Sequence, residues 1–399
     1  MMQSKYTIRD AHFWKISVSL ALASFFIFAC MYAVQPLLPV FVEEFGVSVS
    51  ESSLVLSMTI IGLIIGLIVL GFYSDRIGRT MFIKLSLIGS VIPFLIIPMV
   101  DSFYIIVALR FIQGFALAGL PAASIAYLNE EIDPRSVGVA TGLYISSNAL
   151  GGMVGRVLTG YITDHFSWQV AFLILAVVGL IVLASVYLML PKSRFFHSSD
   201  LSFLSDIEGF LFHFKNPALL LVFGLGIVLQ FSFTGMWTYL PFHLQGEPFD
   251  LSLQAISYTF FAYGLGVIGS PLAGWFAGKF GLSKIRVIGV IILTMGIFLT
   301  LSSSLFVIII GLCVSCLGFF TAHSLTATNV GEQATHHKGS AASLYLVAYY
   351  IGVALGSSAL GPLWNVAGWS GLVILTAILP VAYVVFIRSR NKRKETIHS

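Results

Sequence analysis

Stretches of roughly 20 apolar residues, the length a membrane-spanning helix needs, alternate along the chain with short polar connections. The runs 54–70 and 81–100, for example, enclose ten residues holding one acid and two arginines. Such runs are too long for core strands. They match the length at which a helix, rising ~1.5 Å per residue, crosses the ~30 Å hydrocarbon core of a bilayer. Twelve spans are predicted: 14–40, 52–73, 80–100, 103–128, 137–163, 167–190, 218–242, 252–277, 284–303, 304–330, 339–363 and 367–388. The fold class is therefore all-α and integral to a membrane. Proline and glycine inside the spans fit a bundle, where neighbouring helices re-satisfy the freed backbone groups.

Lysine and arginine orient the spans. They precede span one (Lys5, Arg9, Lys15) and occupy the even-numbered connections (Arg76, Arg79 and Lys84; Arg135; Lys192, Arg194 and Lys215; Lys279, Lys284 and Arg286; Lys338). They also close the chain with Arg388, Arg390, Lys392, Arg393 and Lys394. The odd-numbered connections carry Glu43, Glu44, Glu51, Asp101, Asp164, Glu247 and Asp250 and no basic residue. Both termini are thus expected on the cytoplasmic side. The segment 191–217 reads as a cytoplasmic linker between six-span bundles at 1–190 and 218–388, with a basic tail at 389–399. Within it Leu201, Leu204, Ile207, Leu211 and Phe214 recur at three- and four-residue intervals, which predicts an interfacial amphipathic helix.

Composition agrees: 58% of residues are hydrophobic and 10% charged, against roughly 25% charged in soluble domains. The net charge of +4 is dispersed, which argues against a nucleic-acid face. No small-residue cleavage site follows span one, so it is expected to stay as a helix. Three cysteines do not make a disulfide framework, and Cys313-Val314-Ser315-Cys316, inside a span, reads as two small apolar residues. His336-His337 reads as a surface pair, and no metal is expected. No glycine-rich run precedes a Lys-Ser/Thr pair, so neither ATP nor another cofactor is expected.

The two halves repeat. At an offset of 201, Thr141-Gly142-Leu143-Tyr144 corresponds to Ala342-Ser343-Leu344-Tyr345, and Gly151, Gly155, Gly160 and Trp168 fall on Gly352, Gly356, Gly361 and Trp369. Two such six-helix bundles imply a pseudo-two-fold axis along the membrane normal and a central site.

The connection between spans two and three reads Gly71-Phe72-Tyr73-Ser74-Asp75-Arg76-Ile77-Gly78-Arg79-Thr80. It resembles the signature G-x-x-x-D-R-x-G-R-[RK] of the major facilitator superfamily, departing only at Thr80. The resemblance implies twelve helices and secondary transport by alternating access. In it Asp75 would latch the halves together on the cytoplasmic side, against the helix start near Gly339. Gly71, Asp75, Arg76, Gly78 and Arg79 are accordingly the candidate conformational gate, although the positive-inside rule alone accounts for the arginines. Arg110-Phe111-Ile112-Gln113-Gly114 resembles the family's R-x-x-Q-G motif, whose arginine is associated with proton coupling. Gly142, Gly151, Gly155, Arg156, Thr159 and Gly160 resemble an antiporter signature, with Arg156 at its proline and Thr159 at a glycine. Their spacing reads independently as close helix packing. Tyr127-Leu128-Asn129-Glu130-Glu131-Ile132, Gly142-Leu143-Tyr144-Ile145-Ser146, Gly318-Phe319-Phe320-Thr321-Ala322-His323-Ser324 and Ser343-Leu344-Tyr345 resemble the branch of YnfM-type inner-membrane transporters.

Arg110 and Arg156 are the basic residues inside spans, where each costs roughly 2.5–3.5 kcal/mol near a helix centre and needs a partner or a wet cavity. They either bond to carbonyls or snorkel outward, or else share a polar cavity that attracts a carboxylate. Tyr32, Gln35, Asn148, Gln230, Trp237 and Tyr349 are candidates for the cavity wall, with Gln113 and Gly114 beside Arg110. His323 is the mid-span group able to exchange a proton near pH 7, and no acid lies mid-span. The expected function is proton-coupled efflux of a drug-like molecule or metabolite by a monomer in a bacterial inner membrane, with lipid and protons as its other partners. Symport of a sugar or organic anion, and a membrane-embedded enzyme or sensor, are the alternatives. The enzyme reading lacks a nucleophile–base pair.

Overall fold

The computed structural model describes residues 5–198, 208, 211–334 and 338–398. Twelve long helical segments run through them. The first six are α1 (Ala11–Phe45), α2 (Val49–Ile77), α3 (Arg79–Met99), α4 (Phe103–Glu131), α5 (Val137–His165) and α6 (Trp168–Met189). The second six are α7 (Pro217–Gln245), α8 (Leu253–Phe280), α9 (Leu282–Leu299), α10 (Leu305–Gln333), α11 (Ser340–Ser358) and α12 (Gly361–Arg390). Eleven of these, among the described residues, are long and apolar enough to cross a membrane. The other is α5, 29 residues long, whose glycines, Asn148 and Arg156 lower its hydropathy.

Three local features depart from the spans read off the sequence. α1 is broken: its regular helix ends at Tyr32, a tighter turn runs Gln35–Leu37, and helix resumes at Leu38. Pro36 and Pro39 supply no N–H to the preceding turn, which frees carbonyls there. The segment 71–77 is the end of α2 rather than a loop, and the chain reverses on Gly78 alone. Its φ of 132° is a conformation that other residues rarely adopt, and Gly281 repeats it at 93° between α8 and α9. Finally, α12 is broken at Gly368 (φ 56°): a short helix with Pro362 in its first turn precedes the break, and the long helix follows it from about the position expected for span twelve. The proposed linker helix is outside the described residues at Leu201, Leu204 and Ile207, as are His336 and His337, while 211–214 is helical.

The chain divides into two compact units. One comprises Met1–Val47, Leu54–Phe203 and Ser252–Phe260; the other comprises Ser48–Ser53, Leu204–Leu251 and Phe261–Ser399. In the first, a Cβ on Gly151 would come within 2.0 Å of the Phe25 carbonyl oxygen, and one on Gly155 within 2.6 Å of Ala29 Cα. In the second, Gly352 and Gly356 would meet the carbonyl oxygens of Ile227 and Phe231 at 2.5 and 2.4 Å. The internal repeat therefore seats α5 on α1 and α11 on α7 by the same backbone-to-backbone contact. Gly160 and Gly361 are equally crowded, against Ser257 Oγ and Ser50 Oγ. Gly142 is a correction to the packing assignment: a Cβ there would meet nothing within 4 Å, so nothing presses on it.

Candidate functional site

Four groups of side chains account for most of the polar residues singled out above. The first is the signature at the α2–α3 reversal. Arg79 is buried and bonds to the Asp75 carboxylate one turn back, to Ser74 Oγ at 3.4 Å and to Glu130 of α4 at 3.0 Å. Arg76 turns back to donate to the Phe72 carbonyl at 2.8 Å, its guanidinium 3.5 Å from that ring. A Cβ on Gly71 would only graze Ala122 at 4.0 Å. The other unit has an echo of this network, since Arg286 donates to Asn329 at 3.0 Å and Asn329 to Glu332 at 3.2 Å.

The second group is built on Arg110, which is fully buried. Its guanidinium donates to the carbonyls of Cys30 (3.1 Å), Met31 (2.9 Å) and Val55 (3.3 Å) and to Gln113 Oε1. Gln113 passes the chain on, donating to the Ser90 carbonyl at 2.6 Å. Cys30 and Met31 end the first segment of α1, where carbonyls lose their helical donors and the helix dipole favours a cation. Of the two readings open for Arg110, bonding to carbonyls is the one its geometry describes. Gly114 lets α4 approach so closely that a Cβ would overlap the Thr59 carbonyl oxygen at 1.8 Å.

Arg156 forms the third group and reaches the other side of the α1 break. Its Nε donates to Gln35 Oε1 at 2.7 Å and its Nη1 to the Gly152 carbonyl at 2.7 Å. The guanidinium lies 4.0 Å from the Tyr32 ring centre and 5.3 Å from that of Phe260. Thr159, one turn on, donates to the Ala33 carbonyl at 2.7 Å. Tyr32, Gln35 and Arg156 are thus brought together, whereas Arg110 serves the carbonyls one turn earlier.

The fourth group lies in the second unit. His323 of α10 stacks on Phe319 at 5.5 Å and 1°, faces Tyr345 at 5.7 Å and touches Tyr349 at 4.8 Å. The Tyr345 hydroxyl is 2.9 Å from His323 Nδ1 and 3.4 Å from the His323 carbonyl oxygen. Phe233 of α7 extends the stack, 3.9 Å from Phe319, and Trp237 follows it, buried against Tyr263. Asn148 Oδ1 and Gln230 Oε1 are buried and accept no hydrogen bond among the described residues.

Sequence reading did not single out Glu130 and Glu131 as partners, nor Tyr345 as the partner of His323. A signal existed for the acids, because they end α4 at the lysine- and arginine-bearing side of the spans. The Tyr345 contact joins two helices and has no local trace.

The model of the Major Facilitator Superfamily matches residues 20–357 and 246–398. The inner membrane transport protein YnfM of Escherichia coli is 35% identical over 384 residues, covering 95% of this chain and 91% of the relative. The MFS-type transporter YybF of Bacillus subtilis is 34% identical over 371 residues, covering 93% and 92%. Among solved structures, the nucleoside transporter NupG superposes with a TM-score of 0.77 over 94% of this chain and 99% of that one, at 15% identity. With its twelve helices, its repeated halves and the signature at Gly71–Arg79, this chain belongs to the Major Facilitator Superfamily of membrane transporters.

Proposed function

We propose that the protein is a proton-coupled exporter of a small organic molecule, working by alternating access in the bacterial cytoplasmic membrane with both termini inside. The observation that carries proton coupling is the His323–Tyr345 pair. The Tyr345 hydroxyl has two acceptors within reach, Nδ1 at 2.9 Å and the His323 carbonyl at 3.4 Å. With neutral imidazole the hydroxyl donates to Nδ1. Once Nδ1 takes a proton it becomes a donor, and the hydroxyl turns to the carbonyl. The Nδ1 proton can therefore be held and released while the Tyr345 hydroxyl keeps an acceptor, and the stacked ring of Phe319 and the tilted ring of Tyr349 lie beside the cation.

In this reading Asp75 is the gate residue, and Arg156 with Tyr32 and Gln35 meets an acidic or acceptor group of the substrate. Within the first unit Asn148 offers an amide acceptor; within the second, Gln230 offers another, and Trp237 and Tyr349 are its aromatic candidates. The basic and acidic alternation of the connections supports the orientation. The glycine-rich α5 supports export by its resemblance to the antiporter signature.

The test uses proteoliposomes with an imposed pH gradient and three probes: ethidium, benzoate and D-xylose. Export by antiport predicts accumulation of at least one probe when the lumen is acidic. Accumulation only when the exterior is acidic would make the protein a symporter. Uptake indifferent to the gradient would remove proton coupling altogether.

A further inference from the structure

Glu131 is the one fully buried carboxylate among the described residues, and nothing in the proposed transport cycle uses it. It ends α4 beside the signature, next to Glu130. Both of its oxygens are taken by the chain that follows α6. Oε1 accepts from the backbone N–H groups of Arg194 (2.5 Å) and Phe195 (3.1 Å), and Oε2 accepts from Arg194 Nε at 3.2 Å. A buried carboxylate is costly unless paired and hydrogen-bonded, and here both conditions are met by a stretch outside the helices.

The contacts continue on both sides of that anchor. Upstream, Tyr127 donates to the Pro191 carbonyl at 2.8 Å. Downstream, the Phe196 ring lies 5.7 Å from the Arg79 guanidinium, and Ser198 Oγ donates to the Arg76 carbonyl at 3.0 Å. That carbonyl is one of the last of α2, which the helix itself leaves without a donor. The N-terminal stretch joins from the other side: Tyr6 lies under Arg194 at 3.5 Å and exchanges backbone bonds with Glu131 and Asp133, while Lys5 donates to the Asn129 carbonyl.

We propose that Glu131 is a positioning residue for transport: through Arg194 it holds residues 191–198 as a strap across the end of the first unit, and the strap orients Arg76 and Arg79 of the signature. The proposal rests on the reading of the signature as the gate. It adds a device of this chain's own residues that ties the gate to the start of the segment joining the two six-helix halves.

The test separates docking of the strap from transport. Ser193 Oγ is buried within the strap. In a variant with Cys30, Cys313 and Cys316 replaced by serine, Ser193→Cys reports docking by its rate of labelling with a polar maleimide in purified protein. Labelling is expected to be slow with Glu131 intact and at least tenfold faster in Glu131→Gln. Turnover in the proton-driven assay is expected to fall several-fold with KM unchanged, and Glu131→Asp is expected to restore part of both. Arg194→Gln, at a side chain only partly buried, should reproduce the two effects if Glu131→Gln is not recovered folded.

Unchanged labelling in both variants would overturn the strap. Faster labelling with turnover unaltered would overturn its positioning role. Failure of the gate reading shows differently: Asp75→Asn would then transport normally while Glu131→Gln still exposed residue 193.

Discussion

At the residue scale, charge inside these helices is handled by geometry that spans several elements. Arg110 shows this best, because its planar fork reaches carbonyls of α1 and α2 and the amide of Gln113 at once. A lysine keeps the charge but cannot span the same acceptors. Arg110→Lys is expected to lower stability by about 1.5–3 kcal/mol, the size of a lost hydrogen bond to a charged group. Thermal unfolding in detergent checks it, and an unchanged melting temperature would contradict the assignment. That an arginine here needs partners was legible in the sequence. Which partners it finds was not, because the acceptors are freed by a helix break some 80 residues upstream. Gly78 gives a second expectation. Its φ of 132° is nearly restricted to glycine, so Gly78→Ala should cost about 1–3 kcal/mol.

At the scale of elements, glycine spacing looks uniform along α5 but the glycines do different work. Gly155 is pressed on the α1 backbone, so the added methyl of Gly155→Ala is expected to cost roughly 1–3 kcal/mol. Gly142 faces open space, and Gly142→Ala should be neutral or stabilise by about 0.5–1 kcal/mol through lower unfolded-chain entropy. Equal melting temperatures for the two variants would contradict this division. The sequence repeat identified the pressed positions, since Gly151 and Gly155 fall on Gly352 and Gly356, which make the matching contact in the other unit. Gly142 falls on Ser343. A serine at the matching place is itself a sign that no backbone lies against that position.

At the scale of the whole molecule, the order of twelve helices was legible because bilayer thickness imposes one length on every span. α5 shows where hydropathy falls short: Gly151, Gly155, Gly160 and Arg156 face packed neighbours, so burial by protein there replaces contact with lipid. The mechanism was less legible than the fold. His323 stood out as a mid-span imidazole, but its competence to exchange a proton depends on Tyr345, which only the packing of α10 against α11 brings to it.

The most direct test of the account follows proton and probe movement together in proteoliposomes, with pyranine in the lumen. For the wild type, a probe entering an acid-loaded lumen should raise luminal pH as protons leave in exchange. His323→Gln should still exchange labelled for unlabelled probe but move no protons. Proton movement in His323→Gln equal to that of the wild type would contradict the account.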